Sequence, residues 1–98
     1  MKKGILLSEE ELVRTLKELK DWSIEEGKLK REYVFGSFIE AFAFLAAAAI
    51  LSESMNHHIE WYNLDRRLLV WLRTSDLGGI STIDVLLAKK LNDLHKNR

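Results

Sequence analysis

Three helices announce themselves in this chain by the same start signal, a serine followed three residues later by an acid and then by an apolar pattern of helical period. Ser8 precedes Glu11, Ser37 precedes Glu40, and Ser81 precedes Asp84. A serine at a helix start accepts a hydrogen bond from the third helical N–H. An acid at that third position reaches back to the N-cap N–H and sits at the positive end of the helix dipole. The spacing therefore predicts three helices, set well apart. Leu7 with Leu12 and Ile80 with Val85 fit the apolar staple that closes such a start.

The first helix is expected from Ser8 to Lys20, with Leu12, Val13, Leu16 and Leu19 on one face. The third is expected from Ser81 to Leu94, facing inward through Ile83, Leu86, Leu87, Leu91 and Leu94. The second, from Ser37 to Met55, is apolar nearly all round. Phe38, Ile39, Phe42, Phe44, Leu45, Ile50 and Leu51 surround four consecutive alanines, Ala46 to Ala49. Such a helix is buried on more than one side, either by other elements of its own chain or by a second subunit; the small alanines favour a close helix–helix approach. Alternating patterns lie between the helices. Trp22 and Ile24 lead into Glu26-Gly27, a hairpin turn, and Leu29, Tyr33 and Phe35 follow it. Glu60 to Leu64 is short and aromatic, Asp65-Arg66 reads as a turn, and Leu68, Val70 and Leu72 alternate with Leu69, Trp71 and Arg73. The expected fold is α+β in the order α-β-β-α-β-β-α: a four-stranded antiparallel sheet with three helices packed on one face.

Ninety-eight residues suit one domain, residues 1–98. A chain of this size buries only about 60–65% of its unfolded surface, so association is a natural way to gain core. The absence of cysteine excludes disulfides, thiolate metal sites and thiol nucleophiles. Fifteen basic and fifteen acidic side chains cancel, which argues against a general nucleic-acid binder. After the basic start Met1-Lys2-Lys3, only Ile5, Leu6 and Leu7 precede Ser8, too few for a signal peptide. The longest apolar run, Ala41 to Leu51, falls short of the ~20 residues needed to span a bilayer. A soluble, cytoplasmic protein is expected, without nucleic-acid or membrane partners.

Chemistry has few places to sit. Of the three histidines, His95 lies in the charged C-terminal helix end, where a cation is favoured. His57 and His58 are adjacent, just past the second helix. On a regular strand they would point to opposite faces, so they share a pocket only where the backbone is irregular; a plain polar connection is the other reading. No metal-ligand spacing occurs, nor any glycine-rich phosphate loop or Gly-x-Ser-x-Gly elbow. Gly78-Gly79 reads as a turn, Arg66-Arg67 is too small a basic cluster to specify nucleic acid, and Asp84 already serves its helix start.

The segment Glu53-Ser54-Met55-Asn56-His57-His58-Ile59-Glu60-Trp61 resembles the signature of the pterin-4a-carbinolamine dehydratases. That signature runs from an acid through three spacers to His-His-Pro-Glu-Trp. The likeness continues through Arg73-Thr74-Ser75-Asp76-Leu77-Gly78-Gly79-Ile80 to Asp84. Upstream it takes in the acidic first helix, the Trp22 strand and Phe35-Gly36-Ser37-Phe38, so it covers nearly the whole chain. Two departures stand out. Ile59 replaces the proline, and Ser75 stands where the family has its third active-site histidine.

The resemblance implies dehydration of a 4a-hydroxytetrahydropterin to a quinonoid dihydropterin, which recycles the pterin used by aromatic amino-acid hydroxylases. Imidazoles suit such proton transfers near neutrality. It implies His57 as acid/base, His58 binding or polarising the pterin, Trp61 as a wall, and Asp84 supporting the pocket. Ser75 and Asp76 join the substrate-binding set, and Glu53 and Glu60 match motif positions. The pterin is the substrate, with no cofactor and no metal. Ser75 is a poor acid or base at neutral pH; Asp76 or a held water is a substitute, Asp76 only if a turn redirects it. The alternative is a catalytically weak or inactive member acting as a pterin-binding or protein-interaction module. The resemblance also implies a homodimer or homotetramer through the apolar helix 37–55.

Overall fold

Each serine signal starts a helix in the computed structural model, which describes residues 4–97; the basic start Met1-Lys2-Lys3 lies outside the described residues. Helix α1 spans Glu9–Glu18, α2 spans Phe38–Ser54 and α3 spans Thr82–Lys96. Ser8 with Glu11 and Ser81 with Asp84 form complete capping boxes. Ser37 accepts from the Glu40 N–H, whereas the Glu40 carboxylate takes the Gly36 N–H at 3.1 Å.

Strands β1 (Ser23–Glu25) and β2 (Lys28–Val34) form the first hairpin, and β3 (Glu60–Leu64) and β4 (Arg67–Leu72) the second. All three pairings are antiparallel, in the order β1-β2-β4-β3. The tight turns need left-handed backbone, found at Glu26 and Gly27 and again at Asp65. Leu29 and Tyr33 of β2 and Leu68, Val70 and Leu72 of β4 are fully buried beneath the helices. From α2 come Ala41, Phe44, Leu45 and Ala48, and from α3 Leu87, Ala88 and Leu91. The fold is α+β, a four-stranded antiparallel sheet covered on one face by three helices.

Some faces differ from the periodic reading. Val13 and Leu86 are exposed, since each lies at the margin of its helix's apolar stripe. His95 is no solvated tail residue. Helix α3 carries it against Tyr33, Phe35 and Phe44, at ring-centroid distances of 5.1–5.8 Å. Helix α2 is buried on one side within the chain, while Ile39 and Ile50 are 77% and 72% exposed on the other.

Candidate functional site

The end of α2 sets the first half of the site. Asn56 adopts a left-handed conformation, φ +54°. Its N–H bonds the Glu53 carbonyl and the His57 N–H bonds the Ser52 carbonyl, both at 3.0 Å. These are the two bonds of a Schellman close, and asparagine tolerates the left-handed position. The chain then runs without regular structure to Glu60, so the two histidines escape strand alternation and border one cavity.

The second half is the return from β4 to α3. A short 3₁₀ helix, Ser75–Leu77, ends at Gly78 with φ +75°, and Thr74 pairs back to Gly79 through a 2.9 Å backbone bond. This turn gives Asp76 the redirection that an extended strand would deny it, and both Ser75 and Asp76 border the cavity. The N-terminal arm ties the segment down: the Leu7 N–H bonds the Ile80 carbonyl, and the Thr82 N–H bonds the Ile5 carbonyl.

Between the halves lies a buried polar chain. His57 Nε2 stands 2.5 Å from Asp84 Oδ1. Oδ2 of the same carboxylate accepts from Thr74 Oγ1 at 2.7 Å and from the Ser81 N–H at 2.9 Å. Thr74 has one proton and gives it to Asp84, so the 2.6 Å contact between Thr74 and Ser81 is made with the Ser81 hydroxyl donating. With Nε2 engaged, Nδ1 is the nitrogen of His57 left for exchange. Among the described residues it has no hydrogen-bond partner and is not one of the buried unpaired atoms, so solvent reaches it.

The cavity holds about 360 Å³, within the range of small-molecule sites. His57, His58, Ser75 and Asp76, four of the residues the resemblance implies, border it. Two other residues stand elsewhere. Asp84 is fully buried behind His57, where it cannot touch a ligand. Trp61 pairs with Val70 and so faces the helix side of the sheet, where it borders a smaller hollow of about 180 Å³ with His58 and Leu45. The aromatic wall of the main cavity is Trp71, accompanied by Lys28, Glu60, Arg73 and Thr74. Alternation places Trp71 opposite the buried set of β4, a signal legible in sequence; nothing local marks Thr74. Glu53 is exposed and borders only the smaller hollow.

Trp71 is held in place. Its indole N–H donates to Glu25 at 3.2 Å, Glu25 pairs with Lys30 at 3.0 Å, and the Lys30 ammonium lies 5.8 Å from the ring centre. The hydrogen bond from Lys30, then that from Trp71, holds the Glu25 carboxyl below its ordinary range. Lys28 crosses the face to Glu60 at 2.8 Å.

A family model, pterin 4 alpha carbinolamine dehydratase, matches residues 5–94. A protein of Solibacter usitatus is 49% identical over 90% of this chain and 93% of its own length. One of Prochlorococcus marinus is 44% identical over 89% of this chain and 91% of its own. Both bear the name "Putative pterin-4-alpha-carbinolamine dehydratase". A crystal structure from Brucella melitensis, titled "transcriptional coactivator/pterin dehydratase", superposes with a TM-score of 0.85. It is 34% identical, over 90% of this chain and 96% of that one. No helix among the described residues is long and apolar enough to cross a membrane.

Proposed function

The chain belongs to the pterin 4 alpha carbinolamine dehydratase family, and on that premise we propose that it eliminates water from a 4a-hydroxytetrahydropterin to give a quinonoid dihydropterin, returning the pterin for reuse. The C4a–O bond breaks as its oxygen gains a proton and leaves as water. The N5–H proton departs, and its electron pair forms the C4a–N5 double bond. This route needs no cofactor besides the pterin. The observation that carries the reading is one imidazole, bordering a cavity, whose far nitrogen is pinned by a buried carboxylate. Asp84 orients the ring and offsets the positive charge His57 gains when it takes a proton. His58, exposed on the same cavity, polarises the pterin. Asp76 is the titratable group beside Ser75, and the second proton-transfer position falls to it.

A second reading is favoured by Ser75, which takes the place of a family histidine, and by the bare outer face of α2. In it the chain binds pterin weakly or serves as a protein-interaction or assembly module; the Brucella melitensis protein is named both transcriptional coactivator and pterin dehydratase. In either reading we infer a homodimer or homotetramer through α2.

The test is dehydration of a 4a-hydroxytetrahydropterin generated in place. A positioned acid/base group is worth about 10²–10⁴ in rate, so His57→Ala falls at least a hundredfold towards background. Ser75→His raises the rate. Turnover by His57→Ala equal to wild type sinks the assignment. A wild type at background, with His57→Ala and Ser75→His equally inert, favours the assembly module.

A further inference from the structure

We propose that Trp71, on the open face of β4, and Arg73, just past the end of that strand, form a subsite that stacks the pterin ring and pairs with an anionic substituent on it. The inference rests on the pterin reading above and adds the substrate class. Residues 69, 71 and 73 alternate away from the buried Leu68, Val70 and Leu72, so Trp71 and Arg73 share the face without helices. At ~3.3 Å per strand residue they sit about 7 Å apart. A bicyclic ring on the indole thus brings its edge and side chain towards the guanidinium.

Two features separate this pair from ordinary surface residues. The indole is fixed before any ligand arrives, by its bond to Glu25 and by Lys30 beside the ring. A preset platform binds without paying to order itself. The second feature is charge. The cations Lys28 and Lys30 are committed to Glu60 and Glu25. Arg73 borders the cavity with no ion pair or hydrogen bond among the described residues. Asp76, which also borders the cavity, makes none with it. An uncommitted guanidinium presents a planar fork that matches the oxygens of a carboxylate or phosphate.

The experiment is calorimetric titration of the full chain with three stable pterins: 7,8-dihydroneopterin, its monophosphate ester and 6-carboxypterin. A charge-assisted pair at Arg73 gives the two anionic ligands about tenfold tighter binding than the uncharged one. The phosphate and carboxylate arms show which anion is preferred. Arg73→Gln abolishes that margin. Trp71→Ala weakens all three about tenfold, the scale of aromatic stacking on a heterocyclic base. Trp71→Phe recovers most of the loss, which separates stacking from misfolding. Equal affinities for charged and uncharged pterins, a margin that survives Arg73→Gln, or unchanged binding by Trp71→Ala each overturn the proposal and leave the dehydratase reading standing. A wild type that binds none of the three overturns both.

Discussion

Three donors converge on the Asp84 carboxylate, from His57, Thr74 and the backbone of Ser81, and an amide has only one oxygen to offer them. Asp84→Asn therefore leaves at least one buried donor unmet. A buried bond to a charged group is worth about 1.5–3 kcal/mol, and a loss of roughly 2 kcal/mol is expected in urea unfolding. Turnover should fall more than pterin affinity, because the carboxylate holds the imidazole and does not touch the ligand; an affinity loss as large as the rate loss would refute that division. Tyr33 gives a second test. Burial pushes its hydroxyl up to about 12, against the modest downward pull of Arg31. A tyrosine in the unfolded chain ionises near 10. The contribution is thus intact below pH 10 and lost as pH climbs through about 12. Between pH 9 and 11.5 the wild type should lose roughly 2 kcal/mol more stability than Tyr33→Phe; matched losses would contradict it. Asp84 was legible in the sequence as a helix-start acid, and it is one. Its bond to His57 was not legible from spacing, because 27 residues separate them and no local periodicity spans that gap.

The helix starts differ in what surrounds them. Ser8 caps α1 in an exposed setting, whereas the Ser81 hydroxyl is buried and also donates to Thr74. Losing a serine cap costs about 0.5–2 kcal/mol. Ser8→Ala should fall at the low end; Ser81→Ala, which also strips a donor from the chain behind His57, should reach the high end or exceed it. Equal shifts in urea midpoint would show that the buried chain adds nothing to the cap. Starts and hairpin turns were readable because their signals are local: Ser to acid, Glu26-Gly27, Asp65-Arg66. The strand order β1-β2-β4-β3 was not, since β2 meets β4 across the whole of α2. Nor did alternation place Trp61. In β3, Trp61 and Tyr62 are adjacent aromatics on opposite faces, so the pattern does not say which of them meets the helices. Pairing decides it, Trp61 with the buried Val70 and Trp71 with Lys30 and Glu60.

At the scale of the whole molecule, α2 presents two apolar stripes and the protomer covers one. Ala41, Phe44, Leu45, Ala48 and Ser52 face the core. Phe38, Ile39, Phe42, Ala43, Ala46, Ala49 and Ile50 make the exposed stripe, and in helical projection they span about 140°. Isolated apolar side chains on a surface are ordinary, but a contiguous stripe of this kind marks an interaction site. The alanines at its centre let a second helix approach closely, while the phenylalanines and isoleucines at its margins supply the area. A second copy of the same stripe is a self-complementary partner of that chemistry. Phe42 is 53% exposed in the protomer, so a charge there leaves the chain's own core intact and is buried only on association. Phe42→Glu gives up about 1.5–3 kcal/mol of apolar burial per subunit and adds the cost of desolvating a carboxylate. The wild type should run at the mass of a dimer or tetramer in light scattering. The variant should fall to a lower multiple with an unchanged circular dichroism spectrum. An unchanged mass would mean that the stripe faces solvent in the assembly and that another surface, such as the free edge of β3, holds the copies together.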